Sequence, residues 1–124
     1  MGIFFDPVEF SSENVFQGGK TCSPKELTVK VHVSYALEIH SVLVYYRLVE
    51  NGGTESSPWT DGETMDPLGN GWYSRTLSGN AFPSIYKWKS EAWVDIQFIA
   101  YGDNSQLIGR SDVYRKVTLW KCLN

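Results

Sequence analysis

The chain has 124 residues, 42% hydrophobic and 20% charged, which is enough for one core in one domain. Its net charge of −3 leaves no basic surplus for phosphates or for an anionic bilayer, so a general nucleic-acid binder and a polybasic membrane anchor are excluded. Aromatic residues reach 15%, which excludes a disordered chain, and the longest strongly apolar stretch, residues 42–46, is far too short for a membrane-spanning helix.

Residues 1–19 are expected to form an N-terminal segment with a first strand between Phe10 and Phe16, and residues 20–124 the body of the same domain. The opening Met1-Gly2-Ile3-Phe4-Phe5-Asp6-Pro7 has no basic n-region and too short an apolar run, so no signal peptide is expected there. Leu27, Val29, Val31 and Val33 then alternate with Thr28, Lys30, His32 and Ser34, the period of a half-buried antiparallel strand. Residues 42–48 form a denser strand with Val42, Val44, Tyr46 and Leu48 on one face. A shorter strand is expected within residues 59–65. Asn70-Gly71 turns into residues 72–77, whose Tyr73 and Leu77 face inward.

Residues 81–91 come nearest to a helix, but Pro83 and scattered aromatics point to a loop or one short turn. Val94, Ile96, Phe98 and Ala100 make the next alternating set, with Asp95 and Gln97 pointing to solvent. The last strand spans residues 113–121, with Val117 and Leu119 inward. Turn chemistry separates these runs at Asn51-Gly52-Gly53, Asp61-Gly62, Gly69-Asn70-Gly71, Ser78-Gly79-Asn80 and Gly102-Asp103-Asn104. The pattern predicts an all-β chain folded as an immunoglobulin-like antiparallel β-sandwich of about seven strands.

Cys22 precedes the second of those strands and Cys122 ends the seventh. In a run of seven alternating strands both positions fall at one pole, which favours a Cys22–Cys122 disulfide over two free thiols. Two cysteines and two histidines without paired spacing do not make a zinc site, and no cofactor motif is present. A disulfide in turn implies an oxidising compartment, and so an extracellular or cell-surface location as part of an exported chain.

Several segments carry a resemblance: Cys22-Ser23-Pro24 leading into Leu27-Thr28-Val29, the run 42–48, Trp59 to Met65 to Gly71-Trp72-Tyr73, the run 98–104, and Arg110-Ser111 through Val113-Tyr114 and Val117-Thr118-Leu119 to Cys122. Over about residues 20–122 the chain resembles the immunoglobulin-like and fibronectin-type-III-like modules appended to bacterial surface proteins. That resemblance implies a β-sandwich that spaces domains or makes contacts. The series Val44-Tyr45-Tyr46, Trp59, Met65, Gly71-Trp72-Tyr73, Phe98 and Asp103-Asn104 also resembles starch-binding carbohydrate modules, although Gly102 stands where their closing Trp-Asp-Asn has its tryptophan.

Catalytic patterns are missing. His40 and Ser41 are adjacent in an extended stretch and point to opposite faces, so they form no nucleophile–base pair. Glu50, Glu55, Asp61, Glu63 and Asp66 lie in a stretch free of Lys and Arg, but without the spacing of a calcium loop they read as a solvated acidic segment. The aromatics are the better lead, because Trp59, Trp72, Trp88, Trp93 and Trp120 cannot all fit one small core. Trp59, Trp72 and Trp88, with Asp103 and Asn104 in a late loop, are the expected ligand-contacting residues.

The expected role is a non-catalytic module for protein contact, adhesion or domain spacing at the cell surface. The alternatives are a glucan-binding module and a subunit of a larger assembly joined through an edge strand. The expected partner is a protein or polysaccharide, with no nucleic acid, no membrane insertion, no metal and no enzymatic turnover.

Overall fold

A computed structural model describes residues 3–34, 39–52, 54–84 and 91–123. Ten strands run through the described residues: β1 (Phe5–Phe10), β2 (Asn14–Gln17), β3 (Glu26–Val33), β4 (Ser41–Glu50), β5 (Glu63–Thr64), β6 (Asp66–Gly69), β7 (Trp72–Ser78), β8 (Glu91–Tyr101), β9 (Leu107–Arg110) and β10 (Tyr114–Lys121). The only helical pieces among them are single 3₁₀ turns at Gly79–Ala81 and Asp103–Ser105. The strands form two sheets. One has the order β1-β3-β7-β6; the other has the order β2-β10-β8-β4-β5, with β9 also on β8, and curls into a half-barrel.

The alternation in the sequence sets the inner faces. Leu27, Val29, Val31 and Val33 of β3 are buried, and they face Val42, Val44, Tyr46 and Leu48 of β4 and Ala92, Val94, Ile96, Phe98 and Ala100 of β8 across the core. Val15, Leu77, Val117 and Leu119 complete the cluster. Each of these larger aliphatic side chains contributes about 1.5–3 kcal/mol on leaving water. Tyr73, expected inward, is half-buried and packs against the same cluster.

Several expectations are corrected. Ten strands replace about seven, because the first expected strand is split and β6 and β9 lie where no strand was expected. The first strand is really two. β1 pairs antiparallel with β3 and β2 pairs parallel with β10, so residues 5–17 cross from one sheet to the other and the larger sheet is not wholly antiparallel. At the crossing, the Ser11 amide donates to the Thr28 carbonyl (2.9 Å) and the Thr28 amide to Ser11 Oγ (2.9 Å). The expected strand at 59–65 shrinks to β5, and Trp59 lies outside it.

The last strand stands as expected, as β10, and an unexpected strand, β9, precedes it. β9 and β10 both pair with β8 on the side away from β4, with residues 111–113 as the break. Buried Ser111 fills it: its amide donates to the Phe98 carbonyl (2.8 Å) and its Oγ accepts the Phe98 amide (2.9 Å). The loop expected at 81–91 begins with the turn at Gly79–Ala81, and residues 85–90 lie outside the described residues.

Side-chain bonds and a disulfide join the two sheets and their connections. Buried Gln17 on β2 donates its side-chain amide to the carbonyls of Gly79 (3.0 Å), Phe82 (3.0 Å) and Pro83 (3.1 Å), which ties the turn after β7 to the other sheet. That approach requires glycine at 79, where a Cβ would lie 2.0 Å from the Phe16 carbonyl oxygen. On the β5 side, Glu63 accepts the Tyr46 hydroxyl proton and the Arg75 Nε–H (3.0 Å), joining an inner-face residue of each sheet. Burial first, and then the bond to Glu63, pushes the Tyr46 phenol well above its ordinary value. Cys22 and Cys122 are disulfide-bonded, with Cα atoms 5.8 Å apart, as expected.

A candidate binding face on the larger sheet

The residues that alternate with the core of β4, β8 and β10 make up the outer face of the larger sheet. Arg47 on β4 stands opposite Asp95 on β8, and Trp93 on β8 stands between Val49 and Thr118. Asp95 was expected to point to solvent. It does point away from the core, yet its relative exposure is 0%. Two guanidiniums cover it. Arg115 donates from Nε to Asp95 Oδ1 (2.7 Å) and from a terminal nitrogen to Oδ2 (3.0 Å), and Arg47 Nε donates to Oδ2 (3.1 Å).

Taking a carboxylate out of water costs several kcal/mol, and only close, hydrogen-bonded cations offset that. Burial alone raises the Asp95 pKa, but the bonds from Arg115 and Arg47 outweigh it and hold the carboxyl below its ordinary range. The same pairing raises Arg115 further above its already high value.

Tryptophan rings flank this ionic centre. The Arg47 guanidinium lies 4.6 Å from the centroid of Trp59, and that of Arg115 5.0 Å from Trp93. Both are cation–π contacts made by the cations that hold Asp95. The Trp59 segment reaches this position because it runs along β4, the Ser57 amide donating to the Leu48 carbonyl (2.8 Å) and the Thr60 amide to the Tyr46 carbonyl (3.0 Å). Further out, Trp120 Nε1 donates to Asn14 Oδ1 (2.8 Å), and the hydroxyls of Tyr45 and Tyr101 share a hydrogen bond of 2.9 Å. Burial, then the Tyr101 bond, pushes the Tyr45 phenol up to about 12.

The other expected site residues do not join this face. Trp72 begins β7 on the outer face of the smaller sheet, with the His32 ring edge-on at 5.4 Å and Lys30 Nζ 5.5 Å from its centroid. Trp59 and Trp72 are therefore on opposite outer faces. Asp103 and Asn104 form the exposed turn after β8, Asn104 with φ of 60°, and Asp103 Oδ1 is 3.8 Å from Nδ1 of His40, which is also exposed. Trp88 lies outside the described residues.

In the acidic stretch, Glu63 is committed to Tyr46 and Arg75, and among the described residues no group of three or more His, Cys, Asp or Glu side chains is placed to hold a metal ion. Arg47, Trp93, Asp95, Arg115 and Trp120 went unread as site residues in the sequence. A usable signal existed in the outward parity of Arg47 and Asp95, but the register that sets them opposite one another is not visible in either strand alone.

Fold and site thus define an all-β chain of two sheets with one disulfide and an aromatic–guanidinium outer face. No protein-family model, curated protein or solved structure matches it.

Proposed function

We propose that the chain is a non-catalytic, immunoglobulin-like module that contacts other proteins at the cell surface through the outer face of its larger sheet. The observation that carries this reading is the cluster of Trp59, Arg47, Asp95, Arg115 and Trp93 on one solvent-side face. Trp, Tyr and Arg dominate the energetics of protein interfaces, and here they are held in place before any partner arrives. Support for the immunoglobulin-like fold comes from strand order: β1-β3-β7-β6 follows the A-B-E-D sheet and β10-β8-β4 the G-F-C sheet of that architecture. The disulfide supports an exported location, since such bonds persist in oxidising compartments.

Two alternatives are less well supported. A glucan platform calls for free, neighbouring ring faces, whereas Trp59 and Trp72 lie on opposite faces and each has a cation over its ring. Assembly through an edge strand calls for a long open edge. Of the sheet edges, β5 has two residues, β2 and β6 have four each, and β1 and β6 carry Pro7 and Pro67.

A photo-reactive phenylalanine analogue placed at Trp93 tests the reading on the producing cells' surface proteins. Discrete adducts are expected there and none from the same group at Thr28 on the opposite face. Tryptophan fluorescence titrated with maltoheptaose, starch and a β-glucan is expected to stay flat. Saturable quenching abolished by Trp59→Ala with the fold intact would instead establish carbohydrate binding.

A further inference from the structure

Resting on that reading, we infer that the Arg47–Arg115 pair is a carboxylate-recognition site, and that the partner presents an acidic stretch of polypeptide to it. The two guanidiniums carry five N–H groups each, and Asp95 uses three of them in all. The remaining donors, including both terminal amino groups of Arg47, have no protein partner among the described residues. The side chains are 30% and 44% exposed, so these donors are open to the solvent side while Asp95, at 1%, is not.

Asp95 therefore acts as the positioning residue. It draws two cations together and fixes both planes from beneath, which leaves a local surplus of one positive charge on a chain whose net charge is −3. A forked pair of fixed N–H donors matches the two oxygens of a carboxylate, and Arg is the residue suited to that geometry. Trp59 and Trp93 each lie against one of the guanidiniums, where they would shield a bound carboxylate from water and so strengthen the pairing.

The ligand class follows from the rings. A guanidinium already lies over Trp59 and another over Trp93, so a pyranose finds at most one face of each for stacking. The carboxylates and apolar stems of a Glu-rich or Asp-rich segment can use the open donors and the ring edges together.

The probe is poly-L-glutamate, read by tryptophan fluorescence and calorimetry, with poly-L-lysine and polygalacturonate as comparisons. Saturable binding to poly-L-glutamate is expected, weakened at least about tenfold between roughly 50 and 500 mM NaCl by screening. Arg47→Gln is expected to weaken it by about tenfold or more through loss of the fork, and Lys30→Gln, on the opposite outer face, to leave it unchanged. Should Arg47→Gln fail to fold, the triple variant Arg47→Met, Asp95→Leu, Arg115→Met removes every charge at the site, a replacement that folded proteins commonly tolerate.

No binding by the unmodified chain, binding retained in the folded variant, or tighter binding to polygalacturonate each overturns the inference, the last in favour of an acidic polysaccharide. Photo-adducts at Trp93 that persist undiminished in Arg47→Gln would overturn it while leaving the protein-contact reading standing. Loss of the adducts from the unmodified chain would remove that reading itself.

Discussion

At the scale of single residues, the outer face is governed by one buried charge. Asp95 has two cations, and Arg115 supplies two of the three hydrogen bonds that compensate it. Arg115→Ala is expected to destabilise the fold by about 3 kcal/mol, the low end of the cost of orphaning a buried ion because the guanidinium itself is half open to water. A shift in urea midpoint measures it. The pH dependence follows from the depressed Asp95 pKa. The contribution is whole above the unfolded carboxylate value of about 3.9 and is lost as pH falls through the lower folded value. Between pH 6 and 2.5 the midpoint should therefore fall more steeply in the unmodified chain than in Asp95→Asn, and equal slopes would refute the assignment.

At the scale of elements, the strands most legible in sequence were those with one wholly apolar face. β3, β4 and β8 alternate in sequence, and their inner residues are all buried, with outward Val49 and Asp95 buried besides. The strands that went unread, or whose bounds and partners did, are short and exposed or depend on distant partners. β6 is exposed at all four positions and carries Pro67, so it has no hydrophobic period to betray it. β2 buries only Val15 and Gln17, and its parallel pairing with β10 joins residues about a hundred positions apart. Site residues failed for the same reason: tryptophan count pointed to exposed rings, but pairing register chose which faces they share.

The break between β9 and β10 belongs at this scale too, because Ser111 satisfies a backbone donor that the interrupted ladder would leave open. Ser111→Ala is expected to cost about 1–3 kcal/mol by stranding the Phe98 amide. Hydrogen exchange at Phe98 should rise with it, and unchanged protection would show that the ladder itself satisfies the amide.

At the scale of the whole molecule, the first and last strands hold the two sheets together. β1 and β2 lie in different sheets, β2 lies beside β10, and Gln17 and the disulfide both fasten that same end. The cross-link closes a loop of 100 residues, and in the chain-entropy account it contributes about 4–5 kcal/mol by restricting the unfolded chain. Reduction is expected to lower the melting temperature by more than ten degrees, at ~4 °C per kcal/mol for a domain of this size. Far-ultraviolet dichroism should show a sheet spectrum before reduction. A melting point indifferent to reductant would mean that the sheets alone set the stability.

The parallel pairing of β2 with β10 also determines how the molecule responds to mechanical tension. Pulled by its two ends, the chain first loads β1 against β3 and then β2 against β10, the latter pair in opposite directions along their length, so that their hydrogen bonds must shear together instead of unzipping one by one. Once they part, the force passes through the Cys22–Cys122 bond, and the strands between those residues carry none of it. At ~3.5 Å per residue the oxidised chain can then extend to only about 80 Å, against about 430 Å when reduced. Single-molecule stretching with and without reductant should show those two contour lengths. A domain built this way would yield a short, fixed length under load and keep the strands that bear Arg47, Asp95 and Trp93 folded.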